Sequence, residues 1–183
     1  AVLSDAEDAE SWLEAGSISL FRTKNLPKAR ELLERVIEHE ISQETDGPAR
    51  LLSASESMAT LYEAEGRSEE VVAYLENLLT RQGVPDAVIA RILSLLAERE
   101  FAATGDLTSA RQRFEGALEA NPDELSALTG LARLLASAGK HEEALPFAER
   151  AMELLPEESD AELKVDGLLV FSDVVGSLGK HGE

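Results

Sequence analysis

Apolar residues return every three or four positions along most of the 183-residue chain, which is the period of an amphipathic helix. Residues 125–138 carry one such stripe, formed by Leu128, Leu131 and Leu135. Residues 142–154 carry the next, formed by Ala144, Leu145, Ala148, Ala151 and Met152. Gly139 suits the left-handed residue that follows many helix ends, and Pro156 stops the second helix. The pattern predicts two helices joined by a tight turn.

The same anchor positions recur along the chain. Six of them recur at an offset of 34 residues: Phe101, Gly105, Ala110, Phe114, Ala117 and Pro122 match Leu135, Gly139, Ala144, Ala148, Ala151 and Pro156. Two upstream sets keep the spacing: Tyr62, Gly66, Val71, Leu75 and Leu78, and Leu20, Lys24, Ala29, Leu33 and Val36. One helical hairpin cannot bury its apolar face alone, so neighbouring hairpins must stack. The repeats therefore predict an all-α protein.

These anchors resemble the tetratricopeptide repeat family, with its 34-residue period and its Trp, Leu-Gly, Tyr, Gly, Ala, Phe, Ala, Pro pattern. The match is best over 91–124 and 125–158, and good over 52–85, where Gly83 replaces the usual Pro. Residues 10–43 match less well: Trp12, Ala15 and Gly16 fit the first helix, but the later anchors need one inserted residue. The resemblance implies a right-handed α-solenoid of stacked antiparallel helix pairs, a single array over residues 1–183.

Three connections between repeats are longer than the 34-residue period requires. Extra residues around 44–50 and 86–90 either lengthen the first helices that follow or form loops. The run 156–162 is expected to be a polar loop.

Residues 163–178 fit a terminal first helix, with Leu168, Phe171 and Val175 facing inward and residues 179–181 forming the turn. It is either a capping helix or the start of a fifth repeat in a longer array. Because the chain starts at Ala1, we expect a processed product or a segment of a larger protein.

The net charge of −19 is spread along the chain. It opposes binding of nucleic acid and anionic lipid, and it is compatible with a basic partner or with solubility alone. No apolar run approaches the ~20 residues of a membrane span, so we expect no membrane insertion. The absence of cysteine excludes disulfides and zinc–thiolate sites. It leaves the compartment open between cytoplasm, which is favoured, periplasm and organelle.

The sequence contains no recognisable catalytic constellation. His141-Glu142 begins like a metalloprotease motif, but Leu145 stands where its second histidine is required. His39, near the end of a second helix, is better explained as a cation at a helix C-terminus. We expect no enzyme activity, no metal and no cofactor.

In the resembled family the first helices line a concave groove. Projecting that pattern selects Phe21; Ser53, Glu56, Thr60 and Glu63; Ile92, Leu95, Arg99 and Ala102; and Ser126, Thr129, Arg133 and Ala136. The strongest candidates for ligand contact are Arg99, Arg133, Leu95, Ile92, Glu56, Glu63 and Thr129.

Arg99 and Arg133 lie 34 residues apart at equivalent positions, so stacked repeats would place them side by side. They would hold a carboxylate of a partner, or else pair with neighbours such as Glu63 or Glu98. Glu56 and Glu63 would take a basic residue or remain solvated. Some relatives clamp the acidic tails of heat-shock chaperones with basic and amide residues, which are lacking here. We expect no binding of such tails.

The resemblance implies a non-catalytic scaffold that binds a peptide or a partner helix in the groove. An alternative is self-assembly into a homo-oligomer through the apolar terminal helix, formed by Leu168, Leu169, Val170, Phe171, Val174 and Val175.

Overall fold

The computed structural model describes residues 2–42, 48–155 and 161–180, and these residues form helices and turns only. The helices in this part of the chain are α1 (Val2–Phe21), α2 (Leu26–Ser42), α3 (Pro48–Ala64), α4 (Glu69–Leu79), α5 (Asp86–Thr104), α6 (Leu107–Ala120), α7 (Leu125–Ser137), α8 (His141–Leu154) and α9 (Ala161–Lys180). The all-α prediction is confirmed. The chain divides into two compact units, residues 1–88 and 89–183.

Each unit shows the packing order expected of stacked hairpins. In the first, α2 packs on α1 and α3, α4 packs on α3, and α1 also contacts α3. In the second, α7 packs on α6 and α8, while α9 contacts both α8 and α7. First helices thus contact first helices as well as their own partners, which buries the apolar stripes that one hairpin leaves exposed.

At two of the connections between repeats, extra residues belong to the helix that follows. Helix α3 begins at Pro48 and α5 at Asp86, so residues 48–50 and 86–90 lengthen first helices, whereas residues 44–47 lie outside the described residues. Proline suits the first turn because its missing N–H has no partner there anyway. The loop expected over 156–162 is partly wrong, since Ala161 and Glu162 already belong to α9; residues 156–160, with Pro156, lie outside the described residues.

The turn between the two helices of each predicted repeat contains one residue in the left-handed conformation. These residues are Lys24 (φ 54°), Gly66 (φ 74°), Gly105 (φ 69°) and Gly139 (φ 75°), which are the aligned turn anchors of the sequence. Three are glycines, for which this conformation carries no Cβ penalty. Lys24 adopts it with a side chain, so the first turn is built like the others at an energetic cost.

The predicted inward face of α9 is wrong for two of its three residues. Leu168 and Val175 are 50% and 42% exposed, whereas Val170 (7%) and Val174 (0%) are buried. Gly167 lies close to the helix before it: a Cβ added there would lie 2.8 Å from Leu155 Cδ1, so the Leu155 side chain would have to shift. Phe171 is half-buried against Ala132, Ala148 and Val170, as expected of an inward residue. The helix continues through Lys180, so the turn expected at 179–181 is also wrong at 179 and 180; His181 lies outside the described residues.

Candidate protein-interaction surface on helices α5 and α7

Helices α5 and α7, the first helices of the predicted repeats 91–124 and 125–158, are joined through the core of the second unit. Ala90 and Ala97 of α5, Ala110, Phe114 and Ala117 of α6, and Ala127, Leu131, Leu134 and Leu135 of α7 form one buried cluster. At the start of the two first helices, the Arg91 guanidinium donates to Ser126 Oγ. Arg113 of α6 donates two hydrogen bonds of 2.7 Å to the Glu100 carboxylate of α5. The Arg91–Ser126 bond joins the two first helices directly, and the Arg113–Glu100 pair fixes α6 on α5.

The ring of Phe114 packs directly over the backbone of α7. A Cβ added to Gly130 would lie 2.5 Å from two atoms of this ring, so the absence of a side chain at Gly130 is what lets Phe114 sit there. Phe114 is only 3% exposed. Gly130 of α7 and Phe114 of α6 are therefore complementary in size.

A cavity of about 140 Å³ opens beside this contact. Its lining residues come from three helices: Glu98 and Phe101 of α5, Phe114 of α6, and Gly130, Arg133, Leu134 and Ser137 of α7. Phe114, Gly130 and Leu134 are buried, Glu98 and Phe101 are half-buried, and Arg133 and Ser137 are exposed. The cavity thus has an apolar floor and a polar, charged rim.

The two predicted arginines differ in their surroundings. Arg133 is exposed and lines the cavity, while Arg99 is half-buried. Each makes at least one polar or electrostatic interaction within the protein, and so does Glu98. A ligand at either arginine would therefore exchange an existing contact for a new one.

Two predicted contact residues are buried instead. Ile92 is fully buried and Thr129 is 6% exposed, with its hydroxyl donating a 2.8 Å hydrogen bond to the carbonyl of Leu125. Both point into the helix packing, so the prediction that they contact a ligand is wrong for this structure. Leu95 is half-buried and keeps partial access to solvent.

Glu56 and Glu63 lie on α3, in the first unit. Glu63 is exposed and Glu56 is half-buried, and each interacts with a neighbouring group. The role expected for them, contact with a basic residue of a ligand, stays a prediction.

Of the seven lining residues, sequence reasoning selected only Arg133 as a ligand contact and missed Glu98, Phe101, Phe114, Gly130, Leu134 and Ser137. Phe101 and Phe114 were recognised only as repeat anchors. A usable signal was present, because two aromatic anchors in one hairpin face a glycine of the next, and that combination leaves space beside the rings.

The apolar patch expected on α9 is smaller than predicted. Of its six residues, Val170 and Val174 are buried and Phe171 is half-buried, so only Leu168, Leu169 and Val175 are exposed. The structure does not favour self-assembly through this helix.

Two further properties bear on function. Within residues 2–42, 48–155 and 161–180, no group of three or more His, Asp or Glu side chains is arranged to hold a metal ion. Among the helices described, none combines the length and the apolarity that crossing a membrane requires.

Comparison with known proteins agrees with this architecture. Residues 95–159, which cover most of α5 and all of α6, α7 and α8, match the family model of the tetratricopeptide repeat. Residues 95–159 carry tetratricopeptide repeats. A comparison with curated proteins gave no match.

Solved structures of tetratricopeptide-repeat type resemble the whole chain. BtubC from P. vanneervenii is 19% identical, with a TM-score of 0.61 over 97% of this chain and 83% of its own. MamA is 16% identical, with a TM-score of 0.52 over 96% and 90%. TPR-like repeats of a protein described as a kinesin light chain of Podosopora anserina are 18% identical, with a TM-score of 0.50 over 93% and 87%. At these identities the likeness establishes the fold alone.

Proposed function

We propose that this chain is a non-catalytic protein-interaction scaffold that binds an extended segment or a helix of a partner protein on its first helices. Tetratricopeptide repeats generally serve protein–protein interaction, and such scaffolds are typically non-catalytic. The partner-binding surface is the face of α5 and α7 that carries Arg99, Arg133 and Leu95.

The observation that carries the proposal is the cavity beside Arg133. Ligand sites combine concave apolar walls with a few polar groups that fix orientation. Here Phe101, Phe114 and Leu134 supply the walls, while Arg133 supplies a guanidinium that can bind a carboxylate with two hydrogen bonds. Arg99, one repeat upstream, would add a second cation for the same partner.

The proposal is compatible with the contacts that Arg99 and Arg133 already make within the protein. Because each already interacts within the protein, a partner carboxylate gains only the difference between the new contact and the old one. At the exposed Arg133 the exchange is inexpensive, because surface ion pairs contribute only about 0–1 kcal/mol. We therefore expect modest affinity and a clear dependence on ionic strength.

The test is an affinity capture from an extract of the source cells, with bound proteins read by mass spectrometry. Wild type is compared with the Arg99→Glu/Arg133→Glu variant. The matched control is Arg111→Glu/Arg150→Glu, which makes the same charge change at exposed ion pairs of the second helices α6 and α8. All three proteins must first show equal helicity and melting.

A protein that wild type and the control capture, and that the Arg99/Arg133 variant loses, supports the proposal. Equal capture by all three proteins contradicts the arginine surface. Loss in both variants would show that total charge, rather than this surface, governs the interaction.

A further inference from the structure

The cavity beside Phe114 has the size and walls of a site for a single apolar group. Its volume is about 140 Å³, and engineered apolar cavities of about 150 Å³ bind benzene. Phe101, Phe114 and Leu134 contribute hydrocarbon to its walls, and Gly130 leaves one side without a side chain. A leucine or phenylalanine side chain matches this space.

The exposure of the lining residues indicates where the cavity opens to solvent. Arg133 and Ser137 are exposed, whereas Phe114, Gly130 and Leu134 are buried, so the opening lies along the solvent side of α7. Both residues belong to the last turns of the helix, three and seven positions beyond Gly130. A ligand therefore enters past Arg133 and Ser137 and meets the aromatic rings below them.

The rim carries one charge of each sign, on different helices. Glu98 lies on α5 and Arg133 on α7. A charged group inside the apolar floor would lose its hydration without a partner there, so the group that enters must be uncharged. The flanking groups of the ligand, by contrast, stay at the rim, where Glu98 and Arg133 can each exchange a contact within the protein for an opposite charge of the ligand.

We propose that this cavity anchors one leucine- or phenylalanine-sized side chain of the partner, flanked in the partner by one acidic and one basic residue. The inference deepens the proposed function and rests on it. It names the chemistry of the recognised segment: the apolar side chain occupies the cavity, the acidic residue contacts Arg133 and the basic residue contacts Glu98.

The probe is the short peptide acetyl-Glu-Phe-Lys-amide, and the matched probe is acetyl-Glu-Ser-Lys-amide, which has the same charges and no apolar group. Binding to the ¹⁵N-labelled full chain is followed by the shifts of backbone amides. We expect saturable shifts at Phe114, Gly130, Arg133 and Ser137 with the phenylalanine probe only. No saturable shift up to about 10 mM, or equal shifts with the serine probe, would overturn the inference.

A blocked variant provides the second arm. Ser137→Trp places a large side chain at the exposed mouth, and Ala103→Trp adds the same side chain at an exposed position of α5 away from the cavity lining. We expect Ser137→Trp to weaken binding of the phenylalanine probe at least tenfold, and Ala103→Trp to change it less than twofold. Unchanged binding in Ser137→Trp would contradict the assignment of the cavity.

The two proposals fail in different ways. If Ser137→Trp still captures the partner that wild type captures, the interaction surface stands and the apolar anchor is wrong. If wild type captures no protein but the phenylalanine probe still binds and is blocked by Ser137→Trp, the cavity is a real apolar site and the scaffold function is wrong.

Discussion

Glu40 of α2 accepts a 2.7 Å hydrogen bond from Nε of Arg50, which lies on the next helix, α3. The Glu40 side chain is 1% exposed and that of Arg50 is 26% exposed. The carboxylate, as the largest cause, raises the pKa of Arg50 above its usual value. A nearly buried charge is tolerated only when it is paired, so this ion pair couples the second helix of one repeat to the first helix of the next.

We predict an asymmetric cost when this pair is broken. Arg50→Met leaves the buried carboxylate without its guanidinium and should lower the free energy of unfolding by about 3 kcal/mol. The double variant Glu40→Leu/Arg50→Met removes both charges and should lose much less, because apolar side chains of similar volume can fill the space. Urea unfolding followed by circular dichroism measures both.

The result that contradicts this view is an equal loss of stability in the single and double variants. It would mean that the pair contributes through packing of the side-chain stems rather than through compensation of charge.

The Phe114–Gly130 contact gives a second prediction. Gly130→Ala would place a Cβ 2.5 Å from the Phe114 ring, so either the ring or α7 must move. We expect a loss of about 1–3 kcal/mol in stability, the usual cost of overpacking a core. The matched control is Gly176→Ala in α9, where an added Cβ meets nothing within 4 Å.

Gly176→Ala should stabilise the protein by about 0.5–1 kcal/mol, because glycine inside a helix is unfavourable relative to alanine. Thermal melting of the two variants beside wild type is sufficient. If Gly130→Ala melts as high as Gly176→Ala, the ring of Phe114 does not constrain α7 as described.

The turn residues and the residues of α9 show which parts of the fold can be predicted from the sequence. The turn anchors Lys24, Gly66, Gly105 and Gly139 were aligned by spacing, and the structure places all four in the left-handed conformation. Helix pairs are predictable because apolar period and turn chemistry are local properties. The buried face of α9 was not predictable, because residues 168–171 are all apolar and periodicity cannot show which of them face the core. Packing against the preceding helices makes that choice and buries Val170 and Val174.

The candidate site was predictable only in part, for a related reason. The family register identified Arg133, which lines the cavity, but it also selected Ile92 and Thr129, which are buried. Register states which residues are equivalent. It does not state how deeply each one is packed. The cavity itself depends on how Phe101 and Phe114, from two helices, meet a third helix at Gly130, and no local pattern contains that information.

Lys24 provides a third prediction. It holds the left-handed conformation at φ 54°, where the three equivalent turns have glycine. A side chain in this region costs about 1–2 kcal/mol relative to glycine, partly offset because glycine is more flexible in the unfolded chain. We therefore expect Lys24→Gly to raise the free energy of unfolding by up to about 1 kcal/mol.

The control for this variant is Lys28→Gly, the same exchange four residues later inside α2. It should lower stability by about 1 kcal/mol, because glycine is a poor helix former. Urea titration of both variants separates the two effects. A loss of stability in Lys24→Gly would show that the lysine contributes more to the turn than its strained backbone costs.

Asp106 gives a prediction for pH. It caps the N-terminus of α6: its carboxylate accepts hydrogen bonds from the Ser109 hydroxyl at 2.7 Å and from the backbone N–H groups of Thr108 and Ser109 at 2.9 and 3.3 Å. These bonds, that of the Ser109 hydroxyl foremost, lower the pKa of Asp106 from its usual 3.8. A carboxyl group whose pKa is lower in the folded than in the unfolded state stabilises the fold at a pH above its unfolded pKa. That stabilisation is lost as the pH falls through the folded pKa.

Asp106→Ala should therefore melt below wild type at pH 7. The difference in melting temperature should be constant down to about pH 5 and shrink below pH 3.8. Asp106→Asn keeps a capping oxygen without the charge, so it should fall between the two at pH 7 and converge on wild type in acid. Melting temperatures of the three proteins from pH 7 to pH 3 test this, and a difference between wild type and Asp106→Ala that does not shrink in acid would show that the ionised cap is not its source.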